Sequence, residues 1–170
     1  MRKTSVTVIT QAAIIGALYV VLTMLANGLG LANYAIQVRF SESLCVLPYF
    51  TFSAVPGLTI GCLIANLLTG ATIWDILFGS LATLIGAIGT YLLRKHKFLM
   101  TLPPVISNAV IVPLVLRYGY GITWEYEGAD FSIPYFATTV GIGEIISICV
   151  LGSILLKVLL PYKNIIFKNN

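Results

Sequence analysis

Four stretches of this chain, 6–26, 73–93, 98–116 and 137–160, are almost free of charge and about as long as a bilayer is thick. No other feature constrains the fold as much. A spanning helix needs about 20 mostly apolar residues, and a helix satisfies its own backbone polar groups in hydrocarbon. Composition agrees: the 170 residues are 58% hydrophobic and 9% charged, against about 25% charged in a soluble domain. The opening run, MRKTSVTVITQAAIIGALYVVLTMLANG, starts like a signal peptide. It continues too far and shows no small-x-small cleavage site, so a retained first span is expected.

The fifth apolar region, 43–68, is interrupted by Pro48, Pro56 and Gly57. As one helix it would be about 39 Å long, too long without strong tilt. As two short helices broken at FSAVPG it is a tight hairpin. Charge decides between them. With six spans, Arg2, Lys3, Arg94, Lys95, Lys97, Lys163 and Lys168 share one side. Arg39 and Arg117 face the other side with Glu42, Asp75, Glu125, Glu127 and Asp130. That asymmetry obeys the positive-inside rule, and five spans would destroy it. The expected fold is an all-α membrane protein, one domain over residues 1–170. It has six transmembrane helices in a compact bundle, helices 2 and 3 short and Pro/Gly-broken, and both termini cytoplasmic.

Several chemistries are excluded. His96, the single histidine, lies in the basic RKHK turn, so no Ser–His or Cys–His pair can form at membrane depth. Cys45, Cys62 and Cys149 sit in apolar runs without C-x-x-C spacing and read as small buried hydrophobes. No metal motif and no P-loop are present, so no catalytic or metal residue and no cofactor is assigned. Any ATP-driven step would need partner ATPase subunits.

Ionisable residues at membrane depth are functional candidates. Glu144 is the acid set well inside a span, about 10 Å from the outer end of the last helix by helical rise. It shares a small, polar face with Gly141 and Ser147. Pairing with Arg39 or with an amide is the structural alternative. Asn66 and Asn108 lie in outer halves of their helices, either as ligand contacts or as interhelical hydrogen-bond partners. Asp75 follows Thr72 by three residues, as in a capping box, with ligand contact as the other role. Arg39 and Glu42 stand before an apolar run, where they either pair weakly with each other or reach a ligand. With six spans, all six polar residues fall toward the outer side, which predicts an outward-facing pocket with Arg39 and Glu42 at its rim and Glu144 in its floor. Tyr34, Trp74, Trp124, Tyr126 and Tyr135 are candidates to cover it, or belong to an interfacial aromatic belt. Carboxylates, amides and rings together suit a planar heterocycle with a guanine-like edge. On the first helix, Ala13 with Ala17, and Ala12 with Gly16, form small-x-x-x-small pairs that admit a close helix, internal or from a partner.

Three stretches carry a family resemblance: VRFSESLCVLPYF (38–50), VPGLTIGCLIANLLTGA (55–71) and WDILFGSLATLIGA (74–87). With them the chain resembles the substrate-binding S components of energy-coupling factor (ECF) transporters, and more narrowly the QueT family, proposed to take up queuosine precursors. The resemblance implies a subunit of a bacterial cell membrane that captures its ligand at the outer face. It also implies docking on a transmembrane scaffold (T component) driven by two cytoplasmic ATPases. The ligand implied is a 7-deazaguanine: the cyano or aminomethyl base, or queuine. Ala13 and Ala17 would face the scaffold. No binding residue is carried over from the family. The competing functions are an S component for a pterin or thiamine, a small membrane enzyme, and a structural membrane subunit.

Overall fold

The computed structural model describes residues 2–31 and 38–167, with residues 2–5 described by backbone alone. Tyr34 and Lys168 lie outside the described residues. The chain is helical almost throughout. Helix α1 (Arg2–Gly28) is followed by a 3₁₀ helix, Phe40–Tyr49, then α2 (Ala54–Leu68) and α3 (Ile73–Leu92). A 3₁₀ turn, Leu99–Thr101, leads into α4 (Leu102–Leu114), which continues as a π turn, Val115–Gly119. A hairpin of β1 (Glu125–Tyr126) and β2 (Ala129–Asp130) precedes the last helix. That helix runs from Ser132 to Ile166 as α5 (Ser132–Glu144), a π segment (Ile145–Gly152), α6 (Ser153–Leu159), a 3₁₀ turn (Leu160–Tyr162) and α7 (Lys163–Ile166).

Four of these helices are long and apolar enough to cross a membrane: Val6–Gly28, Ile73–Leu92, Leu99–Gly119 and Ser132–Ile166. Their outward apolar side chains, such as Ile9, Leu77 and Val110, are more than half exposed, as lipid contact requires. The remaining two helices are short. The 15 residues of α2 rise about 22 Å and the ten of the 3₁₀ helix about 20 Å, both less than a hydrocarbon core of about 30 Å.

The region 43–68 is thus two helices, but its break falls elsewhere than the prolines suggest. The chain turns at Thr51–Ser53. Pro56 is the third residue of α2, where its missing N–H removes a donor that has no intrahelical partner anyway. Pro48 sits inside the 3₁₀ helix. The last helix also begins earlier than its apolar run, at Ser132 instead of Ala137. Glu144 is therefore about 18 Å along it, deeper than the 10 Å inferred from sequence.

The 3₁₀ helix is the centre of the bundle. Ser41 to Pro48 are all buried, packed among α1, α3 and the π segment of the last helix. Gly152 lets it approach: a Cβ there would lie 2.8 Å from the Val46 side chain. Helices α1 and α2 meet the same way. A Cβ on Gly57 would stand 2.6 Å from the Ala12 carbonyl, and one on Gly61 2.9 Å from the Gly16 Cα. This corrects the partner assignment for one face of α1. Gly16 is buried and Ala12 half-buried against α2, so an internal neighbour uses them. Ala13 and Ala17 stay exposed.

An added methyl at this contact forces the helices apart. Gly61→Ala, whose Cβ would meet the Tyr19 Cβ at 2.8 Å, should destabilise the bundle by about 1–3 kcal/mol. Thermal unfolding in detergent reads this as a lowered midpoint. Gly28→Ala, with nothing within 4 Å of the new Cβ, should leave it unchanged.

Candidate functional site

At the end of the bundle where α1 and α2 finish and α3 begins lies a cavity of about 410 Å³, within the 300–1,000 Å³ of small-molecule sites. Its polar wall holds Arg39, Asn66, Asp75 and Tyr120; Val112, Leu116 and Ile122 form its apolar side.

Local structure fixes each polar group. Thr72 caps α3, its hydroxyl accepting from the Asp75 N–H at 3.4 Å. The other half of a capping box does not form. Instead the Tyr120 hydroxyl accepts from the Thr72 N–H at 3.3 Å and donates to Asp75 Oδ2 at 3.2 Å. The carboxylate thus reaches the start of its helix only through Tyr120, and its buried Oδ1 has no partner among the described residues. Asn66 Nδ2 donates to the Asp75 carbonyl at 3.2 Å. Gly79 makes room for both, since a Cβ there would lie 3.0 Å from Asp75 Oδ1 and 3.1 Å from Asn66 Nδ2. Arg39 precedes the 3₁₀ helix and is half-buried. Its guanidinium feels Asp75, Tyr19 and Glu42 electrostatically. Among the described residues the sole ion pair is Arg117–Asp130, at 2.7 Å, so Arg39 contacts none of these acids directly.

Glu42, Asn108 and Glu144 are not in the cavity wall. Glu42 is 1% exposed. It accepts hydrogen bonds from the Tyr19 hydroxyl and, at 3.1 Å, from the Cys45 thiol. Tyr19 is nine residues from the end of α1, about 14 Å into the bundle, so Glu42 is deep and not at a rim. It does not pair with Arg39. Glu144, 6% exposed, has the Asn108 side chain as a hydrogen-bond partner and feels the charge of Glu42. Its Oε2 and the Ser147 hydroxyl one turn further lack partners. The six polar residues thus form two layers: Arg39, Asn66 and Asp75 at the cavity, and Glu42, Asn108 and Glu144 beneath.

Trp74 lies outside the cavity. It is 51% exposed and stacks on Phe78 at 6.1 Å beside an apolar groove of α3 and α4. Trp124 stacks between Tyr126 and Tyr135 on the hairpin, at 6.1 and 4.7 Å, and these three do not line the cavity either. Tyr120 does. Nothing in the sequence distinguished it among nine tyrosines; only the fold brings it to Asp75.

The Tyr120 and Ile122 N–H groups donate to the Val115 and Leu116 carbonyls at 3.0 and 3.1 Å, and from there the chain enters the hairpin. Its two-residue turn has Glu127 at φ 51° and Gly128 at φ 81°, the left-handed pair of a tight hairpin. Asp130 ties it to α5, accepting from the Ser132 N–H at 2.9 Å, the Ser132 hydroxyl at 2.5 Å and Arg117 Nε at 2.8 Å. Chiefly through Ser132, and then Arg117, its pKa falls from 3.8 to about 2.

A polar cavity at one end of a bundle of apolar helices, four of them of spanning length, defines a multi-pass protein of the plasma membrane. The chain belongs to the QueT transporter family, whose pattern it matches over residues 9–161. It is similar to the queuosine precursor transporter QueT of Lactococcus lactis subsp. cremoris (strain MG1363), with 37% identity over 99 residues. That match spans 57% of this chain and 57% of the relative. No solved structure matches.

The lowered Asp130 pKa predicts a pH limit for the hairpin. Its ionised form is favoured by folding, so the stabilisation is complete above 3.8 and is lost as pH falls to about 2. Trp124 fluorescence should hold steady down to 3.8 and change below it. Ser132→Ala should move the transition upward, toward the ordinary carboxylate value.

Proposed function

We propose that this chain is the substrate-binding S component of an ECF-type importer, capturing a 7-deazaguanine queuosine precursor or queuine at the extracellular face. The membrane-spanning T component and two cytoplasmic ATPases would supply scaffold and ATP-driven uptake. Six spans, four long and two short, with cytoplasmic termini, put the cavity outside and the basic turn inside.

The observation that carries the proposal is the Asp75 carboxylate, which lines the cavity together with Arg39 and has one buried oxygen without a partner among the described residues. A deazaguanine presents a ring N–H and an amino group side by side, which a carboxylate accepts together, and a carbonyl that a guanidinium or amide serves. Glu144, Glu42 and Asn108 then support the floor without touching the ligand. Family membership and the name of the Lactococcus relative support the substrate class. Exposed Ala13 and Ala17 suit contact with the scaffold.

Equilibrium binding to the purified chain tests this, with queuine, the cyano and aminomethyl 7-deazaguanines, guanine, folate and thiamine as ligands. Tight, selective binding of a 7-deazaguanine is expected. Asp75→Asn and Arg39→Ala should each weaken it about tenfold or more, the effect of losing a hydrogen bond to a charged group. Trp74→Ala should not. Preference of the folded chain for folate or thiamine, or unchanged affinity in both cavity variants, would overturn the assignment.

A further inference from the structure

The opposite end of the bundle carries a second hollow, of about 300 Å³, where the 3₁₀ helix exits between the end of α3 and α7. Tyr49, Phe50, Phe52 and Tyr91 form its walls, and Arg94 and Lys163 supply its charge. The rings brace one another: Tyr49 meets Phe50 edge-on at 4.9 Å, Phe52 meets Tyr91 at 5.1 Å, and Phe50 stacks on Phe167 at 4.9 Å. Both cations rest on this frame. The Arg94 guanidinium carbon is 3.9 Å from the Tyr91 ring centre, and the Lys163 ammonium 6.0 Å from that of Tyr49. Contacts of this kind orient a cation without neutralising it.

Among the described residues no acidic side chain stands here. Of the chain's six acidic side chains, Glu42 and Glu144 are buried in the interior and Asp75 lines the outer cavity. Glu125, Glu127 and Asp130 belong to the hairpin at the far end. Lys95 and Lys97 follow Arg94 in the same turn but do not line the hollow. Beside the hollow, Leu92, Phe98 and Ile165 are largely exposed. A ligand must therefore bring negative charge to the hollow and an apolar body to its flank. An acidic peptide from a soluble partner supplies the first and not the second, whereas an amphiphile supplies both. Aromatic and basic side chains at helix ends mark the head-group depth of a bilayer, and basic pockets between transmembrane helices hold acidic head groups.

We propose that Arg94 and Lys163, held over Tyr91 and Tyr49, bind the phosphate of an anionic phospholipid head group. The guanidinium and ammonium donate charge-assisted hydrogen bonds to the phosphate oxygens, and the acyl chains lie along the exposed apolar side chains of the same end.

The test is titration of the full purified chain with a short-chain phosphatidylglycerol, the phosphatidylcholine of equal chain length, and inorganic phosphate. Native mass spectrometry reads bound lipid, and ligand binding at the outer cavity reports folding. Phosphatidylglycerol should bind one-to-one, with phosphatidylcholine and inorganic phosphate far weaker. Arg94→Gln with Lys163→Gln should weaken it about 30-fold, as expected for two basic groups near an anionic surface, and Lys97→Gln should not. Where the double variant fails to fold, Arg94→Gln alone should lower affinity about fivefold. Equal binding of phosphatidylcholine, equal binding of inorganic phosphate, or undiminished phosphatidylglycerol binding by a folded variant would overturn the proposal.

Discussion

A helix shorter than the hydrocarbon core is thick stands in the middle of this bundle, and the other elements are arranged around it. Its ten residues run in 3₁₀ form, with eight in succession buried. Its i→i+3 hydrogen bonds satisfy most of its backbone within the segment, which allows it to lie in an apolar interior. It rises only about 20 Å. One end reaches the basic face, where Tyr49 meets Lys163. The other stops short at Arg39, and the space above that end is the cavity. The glycines follow from the same constraint. Gly152 admits Val46 of the central helix, while Gly57 and Gly61 draw α2 onto α1.

Polar groups in such an interior must find partners or lie where a ligand supplies them. The two layers divide along that line. Glu42 receives the Tyr19 hydroxyl and the Cys45 thiol, which makes it part of the frame. Asp75 is held by Tyr120 on one oxygen and left open on the other, which makes it part of the site. Arg39 stands between the layers and feels acids from both. Charge is separated on the larger scale too: the acids lie in the interior and at the cavity end, and the basic turn at the other end carries cations alone.

Much of the architecture was legible in the sequence because hydrophobic length is a local property. The four long spans follow from apolar runs almost free of charge, and the division of 43–68 follows from length and the charge asymmetry. The position of the turn was not legible. Pro56 looks like a breaker, yet at the start of a helix its missing N–H removes nothing. The start of the last helix was missed because Asp130 and Ser132, polar residues outside the apolar run, establish its first turn. Arg39, Asn66 and Asp75 stood out in the sequence as ionisable or amide groups, and the fold gathers them at one cavity. Tyr120 was not, since a tyrosine near a helix end is ordinary.

The sequence by itself determined that this chain lives in a bilayer, which four stretches are long enough to cross it, and which turn carries its run of positive charge. Each of these depends on the transfer of residues between water and hydrocarbon, which adds up along the chain. Only the tertiary structure decided which polar groups share a cavity. Glu42 and Arg39 are three residues apart, yet one is sealed in the frame and the other lines the cavity, because the 3₁₀ helix begins between them. Asp75 and Tyr120 are 45 residues apart and meet, because α3 and α4 pack side by side. Such contacts depend on where helices end and how closely their backbones approach, and no local pattern of residues contains that information.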